Sequence, residues 1–163
     1  MYKHILVAVD GSPTADRALQ EAARLAPGDG IVRLVHVVES PAWSVPLEPG
    51  VIIDTELVHR SLLAAGTALL ARAEQQLRGQ GIDAHSRLVD LVQTGLGGIP
   101  EALQQEAERW PADVIVIGTH GRRGVRRLVM GSVAESVLRA ATKPVLLVRS
   151  PSGAEAPAAA QDT

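Results

Sequence analysis

The sequence predicts an α/β fold, a single doubly wound domain with a five-stranded parallel sheet in the order 3-2-1-4-5 and four helices. Three observations lead there. Short β-branched runs alternate with segments of helical period along almost the whole chain. Most of these runs are apolar at every position, as strands covered by helices on both sides are. Unusual polar and glycine residues gather just after two of the runs, which places those two strands side by side.

The elements follow in order. Ile5 to Val9 reads as the first strand. Pro13 to Ala26 reads as a helix, with Ser12 as N-cap and Pro13 at the first helical position. Ile31 to Val38 is a second strand. The proline-rich stretch 39–54, which contains Trp43, has no clear period and reads either as a lid or as an irregular connection. Thr55 to Arg78 carries Leu57, Val58, Leu62, Leu63, Leu69, Leu70 and Leu77 among polar residues, and Gly79 and Gly81 close it. Ala84 to Val92 alternates, and its His85, Arg87 and Asp90 place it nearer an edge of the sheet. Helices over Pro100 to Trp110 and Ser132 to Ala141 flank the strand Val114 to Ile117, and Val145 to Val148 is the last strand, after Lys143-Pro144. Alternation of this kind gives right-handed crossovers and helices on both faces, a Rossmann-like arrangement. Residues 1–149 form the expected domain, and 150–163, rich in alanine and proline with no large apolar residue, an expected disordered tail.

Composition narrows the function. The chain has 163 residues, no phenylalanine and 2% aromatics, so its core must be aliphatic. At this size roughly 70% of the unfolded surface is buried on folding, enough for a core without disulfides or a structural metal. The absence of cysteine removes thiol catalysis, iron–sulfur clusters and zinc–cysteine sites. No apolar run approaches the ~20 residues of a membrane span, and no export signal is apparent, so a cytoplasmic protein is expected. A net charge of −2 argues against a general nucleic-acid coat.

In doubly wound sheets ligands bind beyond the carboxyl ends of the strands, where the strand order reverses. Two strand ends carry unusual residues: Asp10-Gly11-Ser12, and the stretch from Gly118-Thr119-His120-Gly121 to Gly131-Ser132. The glycines allow close approach of backbone N–H groups, and Gly131-Ser132 opens a helix, whose free amides and dipole suit an anion such as a phosphate chain. The spacing Gly-x2-Gly-x9-Gly-Ser is far longer than a P-loop, and the first strand does not end in Gly-x-Gly-x-x-Gly.

These residues resemble a known family. Ile5-Leu6-Val7-Ala8-Val9-Asp10-Gly11-Ser12, Asp113-Val114-Ile115-Val116-Ile117-Gly118-Thr119-His120-Gly121, Gly131-Ser132-Val133-Ala134-Glu135-Ser136-Val137-Leu138 and Pro144-Val145-Leu146-Leu147-Val148 are similar to segments of the universal stress protein family. The resemblance spans about residues 3 to 149, and the spaced glycine motif looks like that of the ATP-binding branch. It implies that Asp10 hydrogen-bonds the ribose or sits near the phosphates, that Ala8 and Val9 border the adenine, and that the backbone of Val37 reads the adenine edge. It further implies that Ile117, Gly118, His120 and Gly121 line the nucleotide, while Gly131, Ser132 and Val133 bind phosphate oxygens. Ala134 stands where some members have a hydroxyl residue, so one phosphate hydrogen bond is absent.

Plainer readings stand beside these. Asp10 also reads as a turn residue that hydrogen-bonds its own backbone, and Ser12 reads as a helix cap rather than a nucleophile. His120 either contacts phosphate, acts as a base or faces water. His36 reads as a satisfied mid-strand histidine, and His4, His59 and His85 lack partners at metal-ligand spacing, so no protein metal site is expected. Arg122, Arg123, Arg126 and Arg127 form a solvated face, reach a phosphate, or meet an acidic partner or RNA. The patch has no interleaved aromatics, which weakens nucleic-acid binding.

The expected protein therefore binds ATP, with Mg²⁺ or Mn²⁺ beside the phosphates, as a regulatory factor in stress tolerance. Its last strand leaves an edge that pairing with a second copy would satisfy, and the resemblance implies such a homodimer. No convincing catalytic set is visible. A slow ATPase using Asp10 and His120, and an interaction module that binds no nucleotide but engages a protein partner, remain as alternatives.

Overall fold

The computed structural model describes residues 2–40, 54–119 and 131–149. The elements are β1 (His4–Ala8), α1 (Pro13–Leu25), β2 (Ile31–Val38), α2 (Thr55–Arg78), β3 (Asp83–Asp90), α3 (Leu91–Thr94), α4 (Ile99–Arg109), β4 (Val114–Gly118), α5 (Ser132–Ala140) and β5 (Val145–Val148). The strands form one parallel sheet in the order β3-β2-β1-β4-β5, as the sequence predicts.

Side-chain alternation on these strands divides the core in two. Ile5 and Val7 pack with Ala18, Leu19 and Ala22 of α1 and Leu70, Ala73 and Leu77 of α2. Leu6 points the other way, into a cluster with Ala102, Leu103 and Ala107 of α4 and Ala134 and Val137 of α5. Ile5, Leu6 and Val7 are fully buried, which is why the central strand has no polar alternation.

Helix starts obey local chemistry. The Ser12 side chain accepts a hydrogen bond from the Ala15 amide and Pro13 opens α1, while Asp54 caps α2 by accepting from Leu57. Past the end of α2, Gly81 takes φ +78°, a backbone conformation that favours glycine.

The expectation of four helices is corrected to five among the described residues. The third strand ends at Asp90 rather than Val92, because the Asp90 carboxylate accepts the Val92 N–H at 2.9 Å and starts the single turn α3. A side chain that bonds its own downstream backbone competes with the sheet ladder. Elsewhere the boundaries shift by a residue. Thus β1 runs His4–Ala8 instead of Ile5 to Val9, since the Val9 carbonyl goes to a side chain.

The alternating third strand is indeed an edge. Its exposed middle carries His85, Ser86 and Arg87, and Arg78 donates through Nε and Nη2 to the Ala84 carbonyl at 3.1 and 3.0 Å. Such side-chain cover discourages edge-to-edge pairing. At the other edge, β5 presents Leu146 36% exposed. Residues 41–53 of the proline-rich stretch and the tail 150–163 lie outside the described residues.

Candidate functional site

The site is built where β1 and β4 lie side by side, paired from Ile5 opposite Val114 to Val7 opposite Val116. Beyond β1 the chain turns toward β2, and the later part of the chain returns to β4 on the other side. This is the switch point at which the strand ends leave a crevice.

The β1 corner is a tight hydrogen-bonded turn. The Ser12 amide donates to Asp10 Oδ1 at 2.9 Å, Gly11 takes φ +78°, and the Asp16 amide bonds the Ser12 carbonyl at 3.0 Å. Asp10 is thus a turn residue, yet only one of its oxygens serves the turn. Oδ2 has no hydrogen-bond partner among the described residues, and the side chain is half-buried. Ser12 Oγ accepts from the Ala15 amide at 3.2 Å and lies 3.1 Å from Thr14 Oγ1, so it is a helix cap.

The β4 corner returns to the same edge. The Thr119 amide bonds the Val148 carbonyl at 2.8 Å, and the Gly131 amide bonds the Thr119 carbonyl at 2.7 Å. The start of α5 is therefore tied directly to the end of β4. Among the described residues no side chain caps α5, and a helix start of this kind suits an anion through its first-turn amides, here those of Ser132 and Val133, and its dipole.

The remaining predicted residues divide by face. Ala8, Val37 and Val133 are half-buried against the cluster that contains Ile117. Val9 belongs to the opposite cluster, with its side chain packed away under α1 and α2, so only its backbone reaches the strand end. Gly118 sits against α1: a Cβ there would fall 2.7 Å from Thr14 Oγ1 and 2.8 Å from the Thr14 carbonyl carbon. His120, Gly121 and the arginines Arg122, Arg123, Arg126 and Arg127 lie outside the described residues.

Two features escape the sequence reading. Thr14 is the surface against which Gly118 must be a glycine, and its only sequence signal is a hydroxyl residue directly after the Ser12-Pro13 cap. His59 Nε2 lies 3.1 Å from Asp90 Oδ1, both side chains about nine-tenths buried, whereas sequence spacing gave His59 no partner. Asp90 Oδ2 is buried and has no partner among the described residues. His36, by contrast, is satisfied as expected: it is 8% exposed and donates from Nδ1 to the Val9 carbonyl at 2.7 Å.

At the opposite, amino-terminal edge of the sheet, Asp113 Oδ2 accepts from the Lys3 and His4 amides, each at 2.8 Å. These amide bonds, the His4 bond first, hold its carboxyl below the ordinary value of 3.8. Lys3 and Asp29 form an exposed ion pair there, which lowers the Asp29 value and raises that of Lys3. Glu106, 7% exposed, pairs with Arg33 at 3.1 Å, and Arg33 lies over the Trp110 ring. None of these groups adjoins the crevice. Among the described residues no set of three His, Asp or Glu side chains is placed to hold a metal, and no helix is long and apolar enough to cross a membrane.

Comparison with known proteins fits this architecture. Residues 1–149 match the universal stress protein family, and the chain belongs to it. It is 32% identical to a universal stress protein of Methanocaldococcus jannaschii over 154 residues, 93% of this chain and 84% of the relative. A putative universal stress protein of Staphylococcus aureus is 33% identical over 149 residues, 91% and 84% of the two chains. Among solved structures, the hypothetical protein MJ0577 superposes with a TM-score of 0.79 at 26% identity, covering 94% of this chain and 99% of that one. The universal stress protein from Archaeoglobus fulgidus in complex with dAMP gives 0.58 at 28% identity, covering 90% and 98%.

Proposed function

We propose that this protein binds ATP in the crevice between the ends of β1 and β4 and acts as a nucleotide-dependent regulatory factor of the stress response, turning ATP over slowly or not at all. The observation that carries the reading is the meeting, at one strand-end edge, of the Asp10 carboxylate, whose Oδ2 has no partner among the described residues, and the helix start at Gly131, which no described side chain caps. The family's adenine-nucleotide chemistry, represented by the Archaeoglobus fulgidus complex with dAMP, points the same way.

The residues present fit the ligand. Asp10 takes a ribose hydroxyl or a water bound to Mg²⁺ or Mn²⁺. Ser132 and Val133 give amides, and Ser132 a hydroxyl, to phosphate oxygens. Ala8, Val37 and Ile117 offer apolar and backbone surface to the base. The cation is then held mainly by the phosphates, in keeping with magnesium's habit of retaining water and using few protein ligands. His120 and Gly121 complete the phosphate side in this reading. The protein is cytoplasmic, and a homodimer through β5, whose Val145 and Leu147 are half-buried beside exposed Leu146, covers the open edge.

The test is to denature freshly purified protein, separate what is released and quantify adenine nucleotide per chain. Near-stoichiometric ATP supports the reading, and ADP shifts it to a slow ATPase. An empty protein that takes up no added ATP with Mg²⁺ overturns it in favour of a nucleotide-free interaction module.

A further inference from the structure

We infer that His36 is a positioning residue for the Asp10 corner, and that Gly66 in the middle of α2 is the glycine that makes room for it. The inference rests on the nucleotide reading for its effect on ATP, and on geometry alone for its effect on the corner.

The regular ladder of β1 ends at Ala8, but two further bonds hold the chain beyond it. The Val9 amide donates to the Val35 carbonyl at 2.9 Å. Among the described residues the Val9 carbonyl has no strand partner and accepts instead from His36 Nδ1 at 2.7 Å. That carbonyl belongs to the peptide unit whose nitrogen is Asp10's. Because a peptide unit is planar, fixing its oxygen fixes the direction in which the chain enters Asp10, and with it the aim of the carboxylate. A buried carbonyl without this donor would also be left unsatisfied.

The imidazole is held on its other side by α2. A Cβ at Gly66 would lie 2.6 Å from His36 Cδ2, 3.1 Å from Nε2 and 2.8 Å from Leu88 Cδ1. Gly66 is buried within α2, where glycine lowers helix stability by roughly 1 kcal/mol relative to alanine. The close approach of the ring is the compensating reason for a glycine there. With Cδ2 and Nε2 against the helix, the ring presents Nδ1 to Val9, and the bond to a carbonyl requires Nδ1 to carry the proton.

Three readouts on the full-length protein test this. The first needs no variant: the imidazole nitrogen spectrum of the folded protein at neutral pH must show His36 as the Nδ1–H tautomer, and an Nε2–H tautomer overturns the inference. The second compares His36→Leu, which fills the space without a donor, with His36→Asn, whose amide nitrogen can occupy the place of Nδ1. His36→Leu is expected to shift the Gly11 and Ser12 amide resonances and increase their hydrogen exchange, and His36→Asn to restore both although each variant loses ring packing. Equal disturbance by both variants, or none by His36→Leu, overturns it. The third is an ATP titration, in which His36→Leu and Gly66→Ala weaken binding by about tenfold and His36→Asn stays within about threefold of the parent. If the parent protein binds no ATP, the nucleotide reading fails by itself, and the tautomer and corner amides still decide the role of His36.

Discussion

Gly118, the last residue of β4, lies so close to Thr14 in the first turn of α1 that a Cβ at Gly118 would stand 2.8 Å from both the Cβ and the carbonyl carbon of Thr14. The contact includes backbone, so it cannot be relieved by a rotamer change. It locks the ends of β1 and β4 into the spacing that defines the crevice. Gly118→Ala is therefore expected to destabilise the protein by about 1–3 kcal/mol, a loss of roughly 2–12 °C in Tm for a chain of this size, and to weaken ATP binding together with stability. Thermal unfolding and a nucleotide titration on the same variant check it. An unchanged Tm removes the close contact from the account.

Asp10 has one oxygen in the turn, and the proposed function assigns the other to the ligand. Asp10→Asn keeps an acceptor for the Ser12 amide, so its Tm should stay within about 2 °C of the parent, a shift worth less than 1 kcal/mol. Its affinity for ATP with Mg²⁺ should fall by about tenfold, as expected when a charged hydrogen-bond acceptor is lost. Calorimetric titration decides, and parental affinity in Asp10→Asn would leave Asp10 as a turn residue only.

The start of α5 makes a charge-specific prediction. ATP should bind more tightly than adenosine, and the difference should narrow between low and high salt, since exposed charges are screened over ~10 Å at 0.1 M ionic strength. Gly131→Glu should abolish binding of ATP by bulk and like-charge repulsion. Equal affinities for ATP and adenosine at every salt concentration contradict the phosphate assignment.

Asp113 sets an acid-sensitive contribution to stability far from the site. Its folded-state carboxyl titrates below 3.8 because it accepts the Lys3 and His4 amides. The contribution is complete above the unfolded carboxyl's value and disappears as pH falls through the lower folded value. The side chain is 42% exposed, so solvent screening keeps the effect modest, about 2–4 °C of Tm at neutral pH for Asp113→Ala. The gap between parent and variant should close as pH drops below about 4. A gap that persists undiminished at pH 2 assigns the effect to something other than the ionised carboxylate.

The β5 edge predicts the assembly. Leu146 is a large apolar residue, 36% exposed, on a strand with one side unpaired among the described residues. Leu146→Asp should convert a dimer to a monomer in sedimentation velocity, because a charge on the exposed face of an edge strand opposes edge pairing. A parent protein that sediments as a monomer, or a variant that remains dimeric, removes β5 as the interface.

Much of this molecule is legible in its sequence. The apolar runs at Ile5, Ile31 and Val114 marked inner strands because a strand covered on both faces shows little polar alternation, while the short last run at Val145 marked an edge. Ser12-Pro13 marked a helix start because capping is a local hydrogen bond. Even the strand order could be read, since two polar strand ends facing one ligand must be neighbours. The extra turn α3 was not visible, because Asp90 reads equally well as a strand residue until its carboxylate is seen to take the Val92 amide.

By itself, then, the sequence determined the α/β class, the sheet order, the Ser12 cap and the family, because each depends on short-range patterning or on motifs contiguous along the chain. Tertiary structure alone decided that Val9 packs away from the cluster holding Ala8, Val37 and Ile117, that His36 bonds Val9, that Gly66 and Gly118 stand where a neighbour leaves no room for a Cβ, and that His59 meets Asp90. Those relationships join residues as far as 104 positions apart, as between Thr14 and Gly118. Packing at near-crystalline density sets such contacts to within tenths of an ångström, and no local propensity encodes which distant side chain will fill the space.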